Sequence, residues 1–309
     1  MIMQKISALS PSVRGALLVA LSGLLFGWMS FFGVRLLSFN FSLQNMLFWR
    51  FFMASVWMAF WIFFRSSVRR KKILSGFTIK PFIAGALAYS GASAFYFLAI
   101  QYIYTGLAMV VFFSFPIFVA LMAWIMGSWK MNRVAFCALF SVVAGLFLLK
   151  GDQDASNVSG VGILLAMLGA LSFAFYVYGS QQTTRKHDSQ LLTLSVCVGN
   201  SFIFLVWSLI TNTFAFPISL SAWIYAVAIG VIATALPIQL LLDGLKTISS
   251  VKASILSVLE PVVTILVGFA FLHESMTLIQ LAGVLVILSA AILIQFEGKM
   301  PELLIRNDI

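Results

Sequence analysis

The chain is poor in charged residues, and above all in acidic ones. Only 9% of its 309 residues are charged, with nine acidic against nineteen basic side chains. Soluble globular domains carry about 25% charged residues, so this chain has too few to cover a surface that faces water. Hydrophobic residues make up 62% and occur in continuous runs of about 20 residues, the length at which a helix crosses a bilayer. The composition therefore excludes a soluble protein and predicts an all-α membrane protein.

The chain also has few residues that bind metals or form disulfides. Cys137 and Cys197 fall inside apolar runs, and His187 and His273 are isolated in loops, so no metal pattern is recognisable. The sequence has no Gly-x-x-x-x-Gly-Lys-Ser/Thr run, which argues against ATP hydrolysis. We expect no cofactor. The net charge of +10 does not indicate nucleic-acid binding, because the positive residues lie in short loops between apolar runs.

Ten apolar runs predict ten transmembrane helices, and the basic residues orient them. The helices are expected at about 13–36, 43–64, 78–102, 105–127, 131–149, 159–180, 190–210, 220–245, 249–272 and 276–296. Cytoplasmic loops retain Lys and Arg, and an inside N-terminus places fifteen of the nineteen basic residues on the cytoplasmic side. The first run is longer than a signal-peptide core. We therefore expect a multi-pass protein of a bacterial inner membrane, with a retained first helix and both termini cytoplasmic.

The second half of the chain repeats the first. The run that begins at Gly15 aligns with the run at Gly162, 147 residues later, and Pro116 aligns with Pro261, 145 residues later. Each half, 1–150 and 151–309, holds five helices, an odd number, so the two halves enter the membrane from opposite sides. Such inverted repeats build the alternating access of many secondary transporters, with the solute near the midplane.

The most diagnostic run extends from Val258-Leu-Glu260-Pro261 to His273-Glu274 and is followed by Leu281-Ala-Gly283. It resembles the Glu-Pro helix, acidic turn and last helix of the drug/metabolite transporter superfamily, in its ten-helix family with two EamA repeats. The resemblance covers essentially the whole chain. It implies transport of metabolites, amino acids, nucleobases or drugs, often outward. The first half departs from the pattern, with Phe115 where the second has Glu260 and Trp129 where it has Glu274.

Glu260 is the acidic residue that lies deepest in a predicted helix. A charge at that depth costs about 3 kcal/mol on insertion scales, so a partner or a function must compensate for it. One hypothesis makes Glu260 a substrate or proton site; the other makes it a structural carboxyl beside the kink at Pro261.

Two cations also fall within predicted helices. Arg50 lies near enough to the outer end of the second helix to extend to the interface, which is the preferred interpretation; the alternative is that it holds a substrate carboxylate. Lys252 begins the ninth helix, where extension to the cytoplasm explains it.

Aromatic and polar side chains form a further candidate lining. Gly85, Tyr89, Ser93 and Tyr96 share one face of the third helix, beside the small-residue face of Ala84, Ala88 and Ala92. Aromatic walls would also come from Trp28, Tyr176 and Tyr178, and Gln239 interrupts the apolar eighth helix next to Pro237. The predicted substrate-binding residues are Trp28, Arg50, Tyr89, Ser93, Tyr96, Tyr176, Gln239 and Glu260.

A secondary carrier of small organic solutes is the predicted function, with export of amino acids or related metabolites preferred. The alternatives are uptake of a nucleoside-like or vitamin-like nutrient, a passive channel, and an enzyme acting on membrane lipids. The enzyme would need an acid, nucleophile or metal cluster that the sequence does not display. The expected partners are a small-molecule solute and membrane lipid; coupling to a proton or another ion and the oligomeric state stay open.

Overall fold

The structure, a computed structural model, describes residues 10–64, 79–103, 105–149, 159–272 and 277–296, and these form helices joined by short loops. Among them, nine helices are long and apolar enough to cross a membrane, and Arg133–Leu149 is a shorter apolar helix. The spans are α1 (Pro11–Leu37), α2 (Leu43–Phe63), α3 (Ile79–Ala99), α4 (Thr105–Ile125), α5 (Arg133–Leu149), α6 (Gly160–Thr184), α7 (Ser189–Ile210), α8 (Leu220–Gly244), α9 (Ser250–Phe271) and α10 (Leu278–Phe296). The ten predicted membrane helices are confirmed. Arg65–Lys72, Lys150, His273 and Glu274 lie outside the described residues.

Short polar side chains define where several helices begin. The Ser42 hydroxyl accepts a hydrogen bond from the Asn45 amide at 3.1 Å, and the Ser249 hydroxyl accepts one from the Lys252 amide at 3.2 Å. The first amides of a helix have no partner within it, and the bilayer core offers no water to replace one. These caps therefore let the helices start close to the apolar layer.

Two helices are interrupted at matching places. α4 consists of Thr105–Phe112 and Phe115–Ile125, and α9 consists of Ser250–Ser257 and Leu259–Phe271. In each helix a proline, Pro116 or Pro261, lies in the first turn of the second part, where its missing amide hydrogen removes no helical bond. The alignment of these prolines in the sequence thus corresponds to one shared structural feature.

The packing of the helices confirms the inverted repeat. α2 packs against α7, α4 against α9, and α5 against α10, so each of these helices contacts its own counterpart. Other contacts come in related pairs, because α3 packs on α6 as α8 packs on α1, and α3 on α7 as α8 on α2. Replacing every helix by the one five places further along the chain reproduces each of these contacts.

Two aligned glycines show the same symmetry at the level of atoms. A Cβ atom on Gly15 would collide with Thr247 and Ile248 of the turn after α8, and one on Gly162 would collide with Tyr102 and Ile103 after α3. Small residues allow membrane helices to approach this closely. The contacted residues of the two turns are 145 positions apart, as the two prolines are.

The two ends of the bundle differ in charge. One end carries the turns α4–α5, α6–α7 and α8–α9 with Lys130, Arg185, Lys186 and Lys246, and we call it the basic end. The opposite end, with the turns α1–α2 and α3–α4, we call the cavity end. Large apolar side chains such as Leu17, Phe60, Phe140 and Leu285 are exposed on the sides of the bundle, where a bilayer would cover them.

Candidate functional site

A cavity of about 280 Å³ lies in the half of the bundle nearer to the cavity end. It is bounded by the second part of α1, the first halves of α2 and α4, the last turns of α3, and the middle of α9. One residue of α6, Phe173, completes the wall. The lining residues are Phe26, Met29, Ser30, Gly33, Val34, Leu37, Met46, Arg50, Tyr89, Ala92, Ser93, Tyr96, Phe97, Ile100, Thr105, Met109, Phe112, Phe113, Phe173, Glu260, Pro261 and Thr264.

Arg50 is held inside this cavity rather than at the membrane interface. Its side chain is only 2% exposed. The Nε atom donates a hydrogen bond of 2.7 Å to the Thr234 hydroxyl, and a terminal nitrogen donates one of 3.4 Å to the Tyr89 hydroxyl. The guanidinium also lies 4.8 Å from the centre of the Phe51 ring. These contacts leave part of the planar donor fork directed at the cavity.

An irregular turn of α8 creates the acceptor for Arg50. Residues Val231–Ala235 form a π-helical segment, a distortion that is frequent at functional sites. Within it, Thr234 donates its hydroxyl hydrogen to the Ile229 carbonyl at 2.8 Å and uses the oxygen lone pairs to accept from Arg50. Gly230 precedes the segment, and a Cβ atom there would approach the Arg50 carbonyl to 2.8 Å. The glycine therefore brings α8 against the backbone that carries Arg50.

Glu260 enters the cavity from the interrupted part of α9. It follows the break at Val258 by two residues, is partly exposed, and lines the cavity together with Pro261 and Thr264. Thr264 lies one turn further on and donates to the Gly27 carbonyl at 3.4 Å. Gly27 stands at the break between Pro11–Phe26 and Met29–Leu37 of α1. The carboxyl group thus lies where two interrupted helices meet, in the same cavity as Arg50.

Most of the remaining wall is aromatic or aliphatic. The Tyr96 and Phe112 rings lie 4.9 Å apart, and Tyr89 meets Phe173 edge to face at 5.9 Å. Few polar side chains interrupt this wall, Ser93 and Thr105 among them. A solute in the cavity therefore meets a guanidinium group and a carboxyl group in largely apolar surroundings.

Five of the eight residues predicted to bind substrate line the cavity, namely Arg50, Tyr89, Ser93, Tyr96 and Glu260. Three do not. Trp28 packs against Phe271 at 5.1 Å, and Tyr176 lies behind Tyr89, with ring centres 4.9 Å apart. Gln239 belongs to a hydrogen-bonded cluster at the basic end.

The sequence interpretation did not single out Ser30, Met109, Phe112 or Thr264 as lining residues. Thr264 had a usable signal, because it lies four residues after Glu260 and so shares its helix face. Phe112 and Met109 had none, since nothing in a run of apolar residues distinguishes a cavity wall from a lipid-facing surface.

Comparison with known proteins assigns the fold to a family. The sequence model of the EamA-like transporter family matches residues 13–150 and again residues 160–296. The chain belongs to the EamA-like transporter family. The threonine/homoserine exporter RhtA of Escherichia coli K12 is 27% identical over 72% of this chain and 75% of its own length. An uncharacterized transporter of Archaeoglobus fulgidus is also 27% identical, over 65% of this chain and 70% of its own length. One solved crystal structure, 15% identical in sequence, superposes with a TM-score of 0.79 over 94% of this chain and 99% of that one.

Family membership and the apolar spans together establish the general activity. This EamA-like protein is a multi-pass inner-membrane transporter of small solutes. The two family segments correspond to the two sets of five helices, and the cavity lies where helices of both sets meet.

Proposed function

We propose that this EamA-like transporter is a secondary carrier that exports small amino acids by alternating access. The observation that carries the proposal is the presence of Arg50 and Glu260 in one apolar cavity. The name of its relative RhtA, a threonine/homoserine exporter, supports both the class of solute and the direction.

An amino acid matches this pair of charges better than a neutral solute does. The Arg50 guanidinium is a planar donor suited to a carboxylate, and the Glu260 carboxylate is an acceptor suited to an ammonium group. A buried charge is costly unless it is paired and hydrogen-bonded. A zwitterion supplies a partner for both residues at once, whereas an uncharged ring of similar size supplies neither.

The size of the cavity favours a small solute. Pockets for drug-sized ligands usually occupy about 300–1,000 Å³, and this cavity of about 280 Å³ lies below that range. The Tyr96 and Phe112 rings, 4.9 Å apart, form an aromatic wall, which is the feature that favours the alternative solute, a nucleoside or a vitamin.

The same carrier hypothesis assigns roles to the two halves of the chain. Residues 1–150 and 151–309 act as the two units that move against one another around the cavity. The basic end faces the cytoplasm, as the concentration of Lys and Arg there favours, so both termini are cytoplasmic. The structure then corresponds to a state in which the solute cavity lies towards the outside.

Counterflow in proteoliposomes tests the proposal. Vesicles with purified carrier are loaded with unlabelled threonine, and the entry of labelled threonine is recorded. We expect the internal threonine to accelerate entry, Arg50→Gln and Glu260→Gln to abolish it, and uridine to compete poorly. A rate of labelled threonine entry that does not depend on internal threonine would indicate a channel. Competition by uridine but not by threonine or homoserine would favour the nutrient carrier. Release of modified lipid without solute movement would indicate the enzyme.

A further inference from the structure

Glu260 and Ser30 line the cavity without a protein partner for their side chains. In the part of the chain that the structure describes, neither side chain forms a hydrogen bond or an ion pair. The Arg50 guanidinium is held by Thr234 and Tyr89 and does not pair with the carboxyl group. A carboxylate in apolar surroundings is costly without a partner. The proposed amino acid supplies that partner only while it is bound, so the empty carrier needs another cation beside Glu260.

The break in α1 places carbonyl oxygens beside Glu260. The first part of α1 ends at Phe26, and the amide of Gly27 bonds to the Gly23 carbonyl at 3.1 Å. The last carbonyl groups of a helix have no amide of a following turn to bind, and they carry a partial negative charge. The Gly27 carbonyl accepts the Thr264 hydroxyl at 3.4 Å, which is long for a hydrogen bond between two oxygen atoms. Both oxygen atoms therefore keep lone pairs for a second partner.

Two glycines bring this end of α1 against the second part of α9. A Cβ atom on Gly23 would lie 3.4 Å from the Glu260 amide nitrogen. One on Gly27 would collide with Val263 and would lie 3.1 Å from the Glu260 carbonyl oxygen. The two segments run parallel, since Gly23 faces Leu259 while Gly27, one turn later, faces Val263. The backbone of Glu260 thus lies directly against the break in α1.

These two segments carry four oxygen groups that are placed to share one site. Ser30 lies three residues after Gly27, and Thr264 lies four residues after Glu260, so each pair shares one helix face. Ser30, Glu260 and Thr264 all line the cavity. With the Gly27 carbonyl they supply a carboxylate, two hydroxyls and one backbone oxygen, and water in the cavity adds further oxygen atoms.

Oxygen groups of this kind bind hard cations. Carboxylate, carbonyl and water oxygens are the ligands that hard metal ions prefer, and interrupted membrane helices coordinate Na⁺ through freed carbonyls. A single carboxylate balances one positive charge, which favours a monovalent ion. A proton would need the carboxylate alone, whereas the neighbouring hydroxyls and carbonyl suit a metal ion that several oxygen atoms surround. An ion that drives export by exchange must be more concentrated outside, as Na⁺ is for bacteria.

We propose that Na⁺ binds where the breaks of α1 and α9 meet, to the Glu260 carboxylate, the Ser30 and Thr264 hydroxyls and the Gly27 carbonyl. We call these four groups the cation site. The proposal rests on the carrier function proposed above, because Na⁺ and the ammonium group of the amino acid then occupy Glu260 in turn. Binding of one excludes the other, so inward movement of Na⁺ is tied to outward movement of the solute. Exchange of one Na⁺ for one zwitterion carries one positive charge inwards.

Thermal unfolding of the purified carrier without solute tests the cation site. A ligand that binds only the folded protein raises its melting temperature. Sodium, potassium and N-methylglucamine chlorides are compared at equal ionic strength. We expect Na⁺ alone to raise the melting temperature, in a saturable manner, and the effect to disappear in Glu260→Gln. Glu260→Asp keeps the charge and should retain a weaker effect.

Two further variants test the oxygen groups around the carboxylate. Ser30→Ala and Thr264→Val should each raise the Na⁺ concentration that gives the half-maximal effect several-fold. Ser195→Ala and Thr183→Val are the matched controls, because their hydroxyls bond to a carbonyl of their own helix and do not line the cavity. A Na⁺ effect of equal strength in all four variants would mean that the hydroxyls do not hold the ion.

Competition between Na⁺ and threonine tests the exchange. Calorimetry measures threonine binding while Na⁺ replaces N-methylglucamine at constant ionic strength. We expect the apparent Kd for threonine to rise in proportion to the Na⁺ concentration once the cation site fills, and to stay constant when K⁺ is used instead. In proteoliposomes loaded with labelled threonine, external Na⁺ should accelerate release several-fold, and a membrane potential that is negative inside should accelerate it further.

Two results would overturn the cation site. One is a carrier that binds threonine but whose melting temperature and threonine affinity respond alike to Na⁺, K⁺ and N-methylglucamine; the other is a Na⁺ effect that Glu260→Gln leaves intact. Failure of the carrier function looks different, because threonine would then neither bind nor exchange in buffer without Na⁺. The dependence of the melting temperature on Na⁺ would still report on the cation site.

Discussion

A substitution at Thr234 tests how Arg50 is positioned, because one hydroxyl group connects the π-helical turn of α8 to Arg50. Thr234→Val removes that hydroxyl and keeps the shape of the side chain. Arg50 Nε then loses an acceptor at 2.7 Å in a region where Arg50 is 2% and Thr234 0% exposed. The Tyr89 hydroxyl, at 3.4 Å, stays as the weaker partner. The guanidinium is thus free to turn away from the orientation that we propose for binding a carboxylate.

The expected size of the effect follows from the bond that is lost. Hydrogen bonds to charged groups contribute about 1.5–3 kcal/mol, and about 1.4 kcal/mol corresponds to a tenfold change in a binding constant. Because Tyr89 retains part of the restraint, we expect the lower end, roughly a tenfold increase in KM for threonine. The maximal rate should change less than about twofold, since the helix itself is preserved.

Kinetics of counterflow, together with titration calorimetry of threonine binding, measure this prediction. Thr183→Val is the matched control, because Thr183 also donates to a carbonyl of its own helix, that of Gly179 at 2.9 Å, but lies away from Arg50. Thr234→Ser should restore most of the affinity. Equal KM values for Thr234→Val and Thr183→Val would refute the positioning of Arg50 by Thr234.

Three further predictions concern the cavity and the packing of α2 against α8. Ser93→Phe places a ring among the lining residues and should abolish threonine binding in calorimetry while the melting temperature stays close to that of wild type; retained binding would place the site elsewhere. Gly230→Ala brings a Cβ atom within 2.5 Å of the Met53 side chain. We expect overpacking of about 1–3 kcal/mol to lower the melting temperature by several degrees. An unchanged melting temperature would mean that α2 and α8 separate easily. Glu260→Gln should bind threonine at least tenfold more weakly, through loss of a charge-assisted hydrogen bond worth about 1.5–3 kcal/mol, whereas unchanged affinity would show that Glu260 does not contact the solute.

The helices could be predicted because a bilayer imposes a simple rule on the sequence. A backbone in lipid must satisfy its own hydrogen bonds, so each span appears as a continuous apolar run of about 20 residues. The bounds of α2, predicted at 43–64, agree with Leu43–Phe63 in the structure. The repeat was also visible, because Pro116 and Pro261 mark the same break in α4 and α9.

The location of the cavity could be predicted only in part. Arg50 and Glu260 stood out, since a charge in an apolar run needs an explanation, and the face of α3 with Tyr89, Ser93 and Tyr96 was recognisable by its spacing. Which helix faces meet depends on packing between residues far apart in the chain. The π-helical turn that presents Thr234 to Arg50, 184 residues away in sequence, has no local signature.

For Gln239 the sequence predicted that the side chain lies in the interior, but not which part of the interior. Its polarity within an apolar helix indicated an interior position, and the side chain does point inwards, to Ser189 and Asp243. The sequence did not distinguish a residue of the solute cavity from one of the hydrogen-bonded cluster at the basic end, because both positions need a polar group away from lipid. The two positions differ only in the end of the bundle that they are near, which depends on the packing of the whole chain.

The most direct test of the paired-charge site compares ligands that lack one charge with variants that lack the matching partner. Calorimetry would measure threonine, its methyl ester and its deaminated hydroxy acid against wild type, Arg50→Gln and Glu260→Gln. We predict that the ester binds wild type and Arg50→Gln equally weakly, and that the hydroxy acid binds wild type and Glu260→Gln equally weakly. If each substitution instead weakened all three ligands by the same factor, neither residue would contact the charge that we assign to it.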